Sequence, residues 1–241
     1  MVKFTHKLKA QGNFMKFNKK SLYIIISVLF CSIAMSVVDA IIQPSYLIKS
    51  LIKLVLFLVI PFTYFLFNKT EFEKIKKLFT PNKKGFFTAL LLGFGVFSVI
   101  LIAYFVFKDL IDFSGIASQL TQSAGVSAEN FVFVALYISF INSLLEEFFF
   151  RGFAFITLKS QTSRLFAYIF SSALFAFYHF GMTAEWFNVG IFILAVLGLF
   201  VGGCIFNFLN EKQENIYNSW LVHAFSNFAI NTIGFIIFGI I

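Results

Sequence analysis

The chain has 241 residues, of which 59% are apolar, 12% are charged and 39 are phenylalanine, and its net charge is +8. A soluble domain carries about 25% charged residues, so a water-soluble globule is excluded, and the same apolar content excludes disorder. The chain reads as an integral membrane protein. Its basic residues sit in short clusters between apolar runs, which is how orientation in a bilayer is encoded rather than how nucleic acid is bound.

A basic tail over 1–20, expected to be cytoplasmic and to hold His6 as an ordinary solvated residue, precedes one integral membrane domain over 21–241. A helix needs about 20 apolar residues to cross the hydrocarbon core. Stretches of that kind lie at 21–39, 46–68, 85–107, 131–157, 165–182, 187–209 and 217–240. The first is too long for a signal-peptide core and is followed by no A-x-A site, so it reads as a span. Pro61 is expected to kink the second span. The stretch 69–84 places Phe72, Ile75 and Phe79 at helical spacing among lysines, the pattern of an interfacial amphipathic helix. The stretch between the third and fourth spans reads as a loop. Gly198 and Gly202 give the sixth span a small-xxx-small packing face. Cys31 and Cys204 lie inside apolar runs and read as buried spectators, neither a disulfide nor a thiolate metal site. The fold class is all-α: a polytopic membrane helix bundle of about seven transmembrane helices plus the amphipathic segment.

With the N-terminus inside, sixteen basic residues fall on the cytoplasmic side and only Lys49, Lys53 and Lys108 fall outside. The first two of these are expected to snorkel from the end of their helix. The expectation is N-in and C-out, in a cell membrane.

Charge inside a bilayer is costly and asks for a reason. Glu146 and Glu147 lie well inside the fourth span, followed by Arg151, and His179, His223 and Asn227 lie inside the fifth and seventh. Glu147 and Arg151 are i and i+4, within salt-bridge reach, which suits a shape-holding pair. Glu146 is turned by about 100° from its neighbour; desolvated and free of that guanidinium, it is the better general base. His179 can share a water with it. His223 and Asn227, again i and i+4, present two donors along one helix face, as an oxyanion site requires. Each residue alone has a structural reading: a helix clamp, a packing histidine, an interhelical amide. Their co-occurrence points to a site if the fourth, fifth and seventh spans are neighbours.

At these residues the sequence resembles the CPBP family, the CAAX-protease and bacteriocin-processing proteins, also called the Abi family. A Glu-Glu-x-x-x-Arg motif matches Glu146, Glu147 and Arg151; Phe-x-x-x-His matches Phe175 and His179; His-x-x-x-Asn matches His223 and Asn227. The resemblance covers about 131–230, and the N-terminal half is similar only as membrane helices. It implies an intramembrane endopeptidase in the class of the Ras-converting CAAX endopeptidase, cleaving a membrane-associated peptide or protein precursor. By the same resemblance Glu146 and His179 activate water, His223 and Asn227 hold the oxyanion, Glu147 and Arg151 support the site, and no cofactor is needed. The composition, with 17 lysines to 2 arginines and abundant Phe, suggests a bacterial genome, which favours bacteriocin or signalling-peptide processing over prenylated substrates.

Three rival readings stand beside this one. Glu146, His179 and His223 supply the donors of a two-His, one-carboxylate zinc site, but there is no H-E-x-x-H and no sign of the Asp or Asn partners that orient zinc-binding histidines. Family members are also associated with bacteriocin self-immunity and with scaffolding, neither of which needs proteolysis. A transporter is disfavoured, because the charges gather at one locus and no inverted repeat is visible. The expected partners are the lipid bilayer and a peptide or protein substrate, not nucleic acid; the sequence leaves the oligomeric state open.

Overall fold

The computed structural model describes residues 17–80, 83, 85–183 and 186–241. Most of the basic tail, including His6, and Glu185 lie outside the described residues. In chain order the helices are α1 (Lys19–Ile42), α2 (Tyr46–Phe67), α3 (Lys69–Leu78), α4 (Phe86–Leu110) and α5 (Phe113–Ala124). There follow α6 (Phe131–Thr157), α7 (Arg164–Tyr178), α8 (Val189–Glu211) and α9 (Tyr217–Ile237). Among the described residues there is no strand. Six of these helices are long and apolar enough to cross a membrane, so the chain is a multi-pass membrane protein.

The fifth expected span, 165–182, is shorter than a full crossing. α7 has 15 residues, about 22 Å at 1.5 Å per residue; it ends at His179 and resumes as the one-turn helix Phe180–Thr183.

The helix starts are written in local chemistry. Asn18 and Ser21 form a reciprocal capping box at α1, with Ser21 N–H donating to Asn18 Oδ1 at 2.8 Å and Asn18 N–H to Ser21 Oγ at 2.9 Å. Ser163 and Asn188 cap α7 and α8. The expected loop before α6 contains a helix instead: Asp112 accepts from Gly115 N–H at 3.0 Å to start α5, and Gly125, in the left-handed region at φ 69°, ends it. The Ser114 hydroxyl and that same N–H hold the Asp112 carboxyl below the usual carboxylate range.

α6 is the strut of the bundle. In its most apolar stretch 50% of residues are buried inside the protein, against 6% for α4, which lies mainly along α9. Four segments wind as π-helix: Val38–Ile42 in α1, Val55–Val59 in α2, and Tyr137–Asn142 and Glu147–Thr157 in α6. Every residue of the last is buried. Pro61 is absorbed within α2, directly after the π turn, rather than ending the helix. The amphipathic α3 puts its apolar face on the protein: Phe72 and Ile75 pack on the main core, and Leu78 is buried. Ile216 N–H donates to Leu78 O at 3.2 Å, and Lys77 pairs with Glu214 at 2.7 Å, so α3 is tied to the chain leading into α9.

The expected small-residue face of the sixth span is displaced. Nothing lies within 4 Å of a Cβ built on Gly198 or Gly202. It is Gly203 that meets a neighbour, 3.0 Å from Ser172 Cα on α7. Close helix approach is decided by which face turns inward, not by spacing alone. Cys31 is buried as expected, whereas Cys204 is only partly so.

Replacing Gly203 by Leu forces α7 and α8 apart. Overpacking costs about 1–3 kcal/mol, which at this size lowers the melting temperature by about 3–10 °C. Gly198→Leu and Gly202→Leu leave it within about 1 °C of wild type, because their side chains meet open space. Thermal melts of the purified protein in detergent check both statements.

Candidate active site

The two adjacent glutamates sit where α6 changes register. Glu146 is the last residue of the α-helical segment Ser143–Glu146, and Glu147 opens the long π segment. They therefore address different neighbours, as the helix angle predicts. Both are buried, at 2% and 0% exposure.

Glu147 faces α9. Its Oε1 accepts from His223 Nδ1 at 2.9 Å, its Oε2 accepts from the Ser219 hydroxyl, and Arg151 Nε lies 3.5 Å away. Asn210 Nδ2 donates to Ser219 Oγ at 2.5 Å and extends the network onto α8. Arg151 is fully enclosed, and none of its guanidinium nitrogens makes a hydrogen bond among the described residues. The cation lies instead against the rings of Phe175 and Phe206, with Cζ 4.1 and 4.8 Å from their centroids. The expected Glu147–Arg151 pair is present, and it is stacked as much as it is bridged.

Glu146 faces α2 and α7. Its Oε1 accepts from Lys53 Nζ at 2.5 Å, Asn142 Nδ2 at 2.8 Å and the Tyr178 hydroxyl at 3.2 Å. Its Oε2 has no hydrogen-bond partner among the described residues and stands 3.6 Å from His223 Nε2. One oxygen is thus tied down by three donors, while the other looks toward an imidazole nitrogen.

The histidine tautomers follow from their partners. A carbonyl only accepts, so His179 Nδ1, 2.7 Å from Phe175 O, carries a hydrogen and donates it. Its Nε2 remains as the other, base-capable nitrogen. The ring is half-buried, wedged edge-on against Phe175 and Tyr178. His223 donates its Nδ1 hydrogen to the Glu147 carboxylate and directs Nε2 at Glu146. Asn227, one turn further along α9, gives one amide hydrogen to Ile138 O at 3.0 Å. Asn231 does likewise to Ala135 O at 3.1 Å. Both amides therefore tie α9 to α6 around the π segment Tyr137–Asn142, and Asn227 keeps a second N–H beyond that bond.

All six residues singled out from the sequence thus lie on α6, α7 and α9, the three spans expected to adjoin. Lys53 was not among them. It was expected to snorkel to the membrane surface, but it is 5% exposed and spends its three hydrogens on Glu146, Asn142 and Tyr178. Asn142, Tyr178 and Ser219 were not singled out either, and carry no signal beyond adjacency or helical spacing to a motif residue. Among the described residues no three His, Cys, Asp or Glu side chains gather as a metal-binding group.

The network predicts an asymmetry between the two glutamates. Glu147→Ala leaves the Arg151 cation buried without its counter-ion, at about 3–5 kcal/mol, and folded protein in the membrane falls accordingly. Adding Arg151→Met recovers a large part of that loss. Glu146→Gln also leaves a buried cation, Lys53, without its counter-ion, but it keeps shape and an acceptor for its donors, so its cost is the smaller of the two. Membrane abundance and melting temperature for the three variants decide it.

The family model described as Type II CAAX prenyl endopeptidase Rce1-like matches residues 128–229. No curated protein and no solved structure matches the chain. The matched stretch contains Glu146, Glu147, Arg151, His179, His223 and Asn227 and begins well after Lys53. Residues 128–229, from just before α6 into α9, are thus similar to an Rce1-like domain; that CPBP-type family of CAAX proteases comprises hydrolases acting on peptide bonds.

Proposed function

We propose that the protein is an intramembrane endopeptidase in which Glu146 takes the proton from an attacking water, with His179 as the second proton acceptor. The observation that carries this reading is the division of labour on one carboxylate: Oε1 is held by Lys53, Asn142 and Tyr178, while Oε2 faces His223 Nε2 at 3.6 Å with no other partner. A base needs a lone pair that is oriented but not spent, and Oε2 is such a group. Water bound against it adds to a peptide carbonyl as its proton passes to Glu146. The tetrahedral oxyanion is met by the second N–H of Asn227 and by His223 Nε2 when that nitrogen carries a proton. Collapse of the intermediate returns the proton to the leaving amine. Glu147 fixes the His223 ring through Nδ1, as a carboxylate behind a histidine does in other hydrolases, and Arg151 holds Glu147.

The substrate class is a peptide bond in a membrane-associated peptide or protein precursor, with bacteriocin or signalling-peptide processing the favoured physiological role in a bacterial cell membrane. In cells carrying wild type or Glu146→Gln at equal abundance, mass spectrometry of membrane and secreted peptides should show a small set of cleaved products. These fall at least about 100-fold in the variant, the usual loss when an acid–base group is removed, while their precursors accumulate. Matching peptidomes, with Glu146→Gln still rescuing a deletion phenotype, would instead identify a self-immunity or scaffold protein.

The reading places the N-terminus in the cytoplasm, supported by the basic loops. With α7 and the one-turn helix Phe180–Thr183 completing a seventh crossing, the C-terminus lies outside, so a fluorescent protein fused after Ile241 stays dark and a phosphatase active only outside the cell is active. The reverse pattern overturns the orientation.

A further inference from the structure

Resting on that reading, we infer that Lys53 is a positioning residue of the site, supplied by the second span from outside the matched domain. A lysine in a membrane span ordinarily carries its ammonium to the interface. This one turns inward. Its side chain is 6% exposed and lies 2.5 Å from Glu146 Oε1. The Asn142 amide oxygen and the Tyr178 hydroxyl accept its other two hydrogens, so every donor of the ammonium is used. The rings of Tyr178 and Phe57 flank it, 4.8 and 5.5 Å from Nζ. Phe57, one turn along α2, stacks flat on Phe149 of α6 at 4.1 Å and 3°. The lysine is thus delivered by a helix that is itself locked onto the helix bearing Glu146.

This geometry solves a problem that the motif residues leave open. A glutamate with three single-bond rotors can present either oxygen, or neither, to a substrate. The ammonium, with Asn142 and Tyr178, takes Oε1 out of play and leaves Oε2 as the only oxygen free to work on water, on the side where His223 stands. With its three hydrogens spent on Glu146, Asn142 and Tyr178, Lys53 acts through Glu146. The group balancing the general base therefore comes from the N-terminal half, and residues 128–229 alone carry an incomplete site.

The test uses the full chain in detergent, with Lys53→Met, Lys53→Arg, Glu146→Gln and the double variant Lys53→Met/Glu146→Gln. If the pair exists, Lys53→Met lowers the melting temperature and adding Glu146→Gln recovers it, with a coupling of about 5 °C or more, as for other interacting charged sites. Additive shifts would overturn the contact. Should Lys53→Met fail to fold, recovery of folded protein in the double variant establishes the pair, and failure of the double variant to recover it overturns the pair.

The second readout is cleavage of a peptide whose processing depends on Glu146, as found in the peptidome comparison. Lys53→Met is expected to lower kcat about 100-fold or more with KM within about twofold, the signature of lost transition-state positioning rather than lost binding. Lys53→Arg, which keeps the charge, should run at least about tenfold faster than Lys53→Met. Wild-type kcat in Lys53→Met, with the thermal coupling present, would reduce Lys53 to a structural counter-ion. If the wild-type protein cleaves nothing, the endopeptidase reading fails, while the melting cycle still decides whether the pair exists.

Discussion

Ionised side chains in the middle of a helical bundle are tolerated only when each has its own partners, and this constraint organises the protein around α6. Two carboxylates one residue apart cannot be served by one cation without leaving the other exposed to repulsion from its neighbour. The bundle separates them. Glu147 is given to α9 and Arg151, and Glu146 to α2 and α7. Three elements from different parts of the chain must therefore pack on α6 in one register, and the polar contacts fix which faces meet.

The helical irregularity of α6 belongs to the same arrangement. An unbroken α-helix satisfies its own carbonyls, but the π segment Tyr137–Asn142 coincides with two carbonyls, of Ala135 and Ile138, that accept from Asn231 and Asn227 on α9. The second π segment begins at Glu147, so the register changes between the two glutamates. Such segments are frequent at functional sites, and the second is buried throughout within protein, a setting in which irregular backbone is tolerated in a membrane. Aromatic packing does the rest: Phe57, Phe149, Phe150 and Tyr178 form a closed set of ring contacts under the Lys53–Glu146 pair.

Much of this was legible in the chain. Runs of about 20 apolar residues have one structural solution in a bilayer, so the spans were readable to within a few residues. The motif residues stood out because the membrane makes polar groups expensive, and i,i+4 spacing survived the π winding well enough for Glu147 to reach Arg151. What was not legible depended on rotation about a helix axis. Lys53 reads as a snorkelling lysine because nothing local tells whether its side chain points to lipid or to Glu146. Gly203 and not Gly198 or Gly202 meets a neighbour for the same reason. The helix α5 escaped notice because its apolar content is modest and its signal is a single capping aspartate ahead of a Gly stop.

In the proposed mechanism Asn227 combines a structural role with a chemical one. As an interhelical amide it binds the carbonyl of Ile138, and this bond sets the distance between α6 and α9. Those are the helices that carry Glu146 and His223, whose facing atoms are 3.6 Å apart. An amide has two hydrogens, so holding the helices together spends one and leaves one pointing from a fixed frame. Preorganisation of that kind is what electrostatic catalysis demands, because a donor already oriented by the fold costs no reorganisation when charge develops. The same economy applies to Glu146, where one oxygen is bound so that the other is aimed, and to His223, where one nitrogen is anchored by Glu147 so that the other faces the carboxylate. In each case the group at the centre is bidentate, with one end given to the fold.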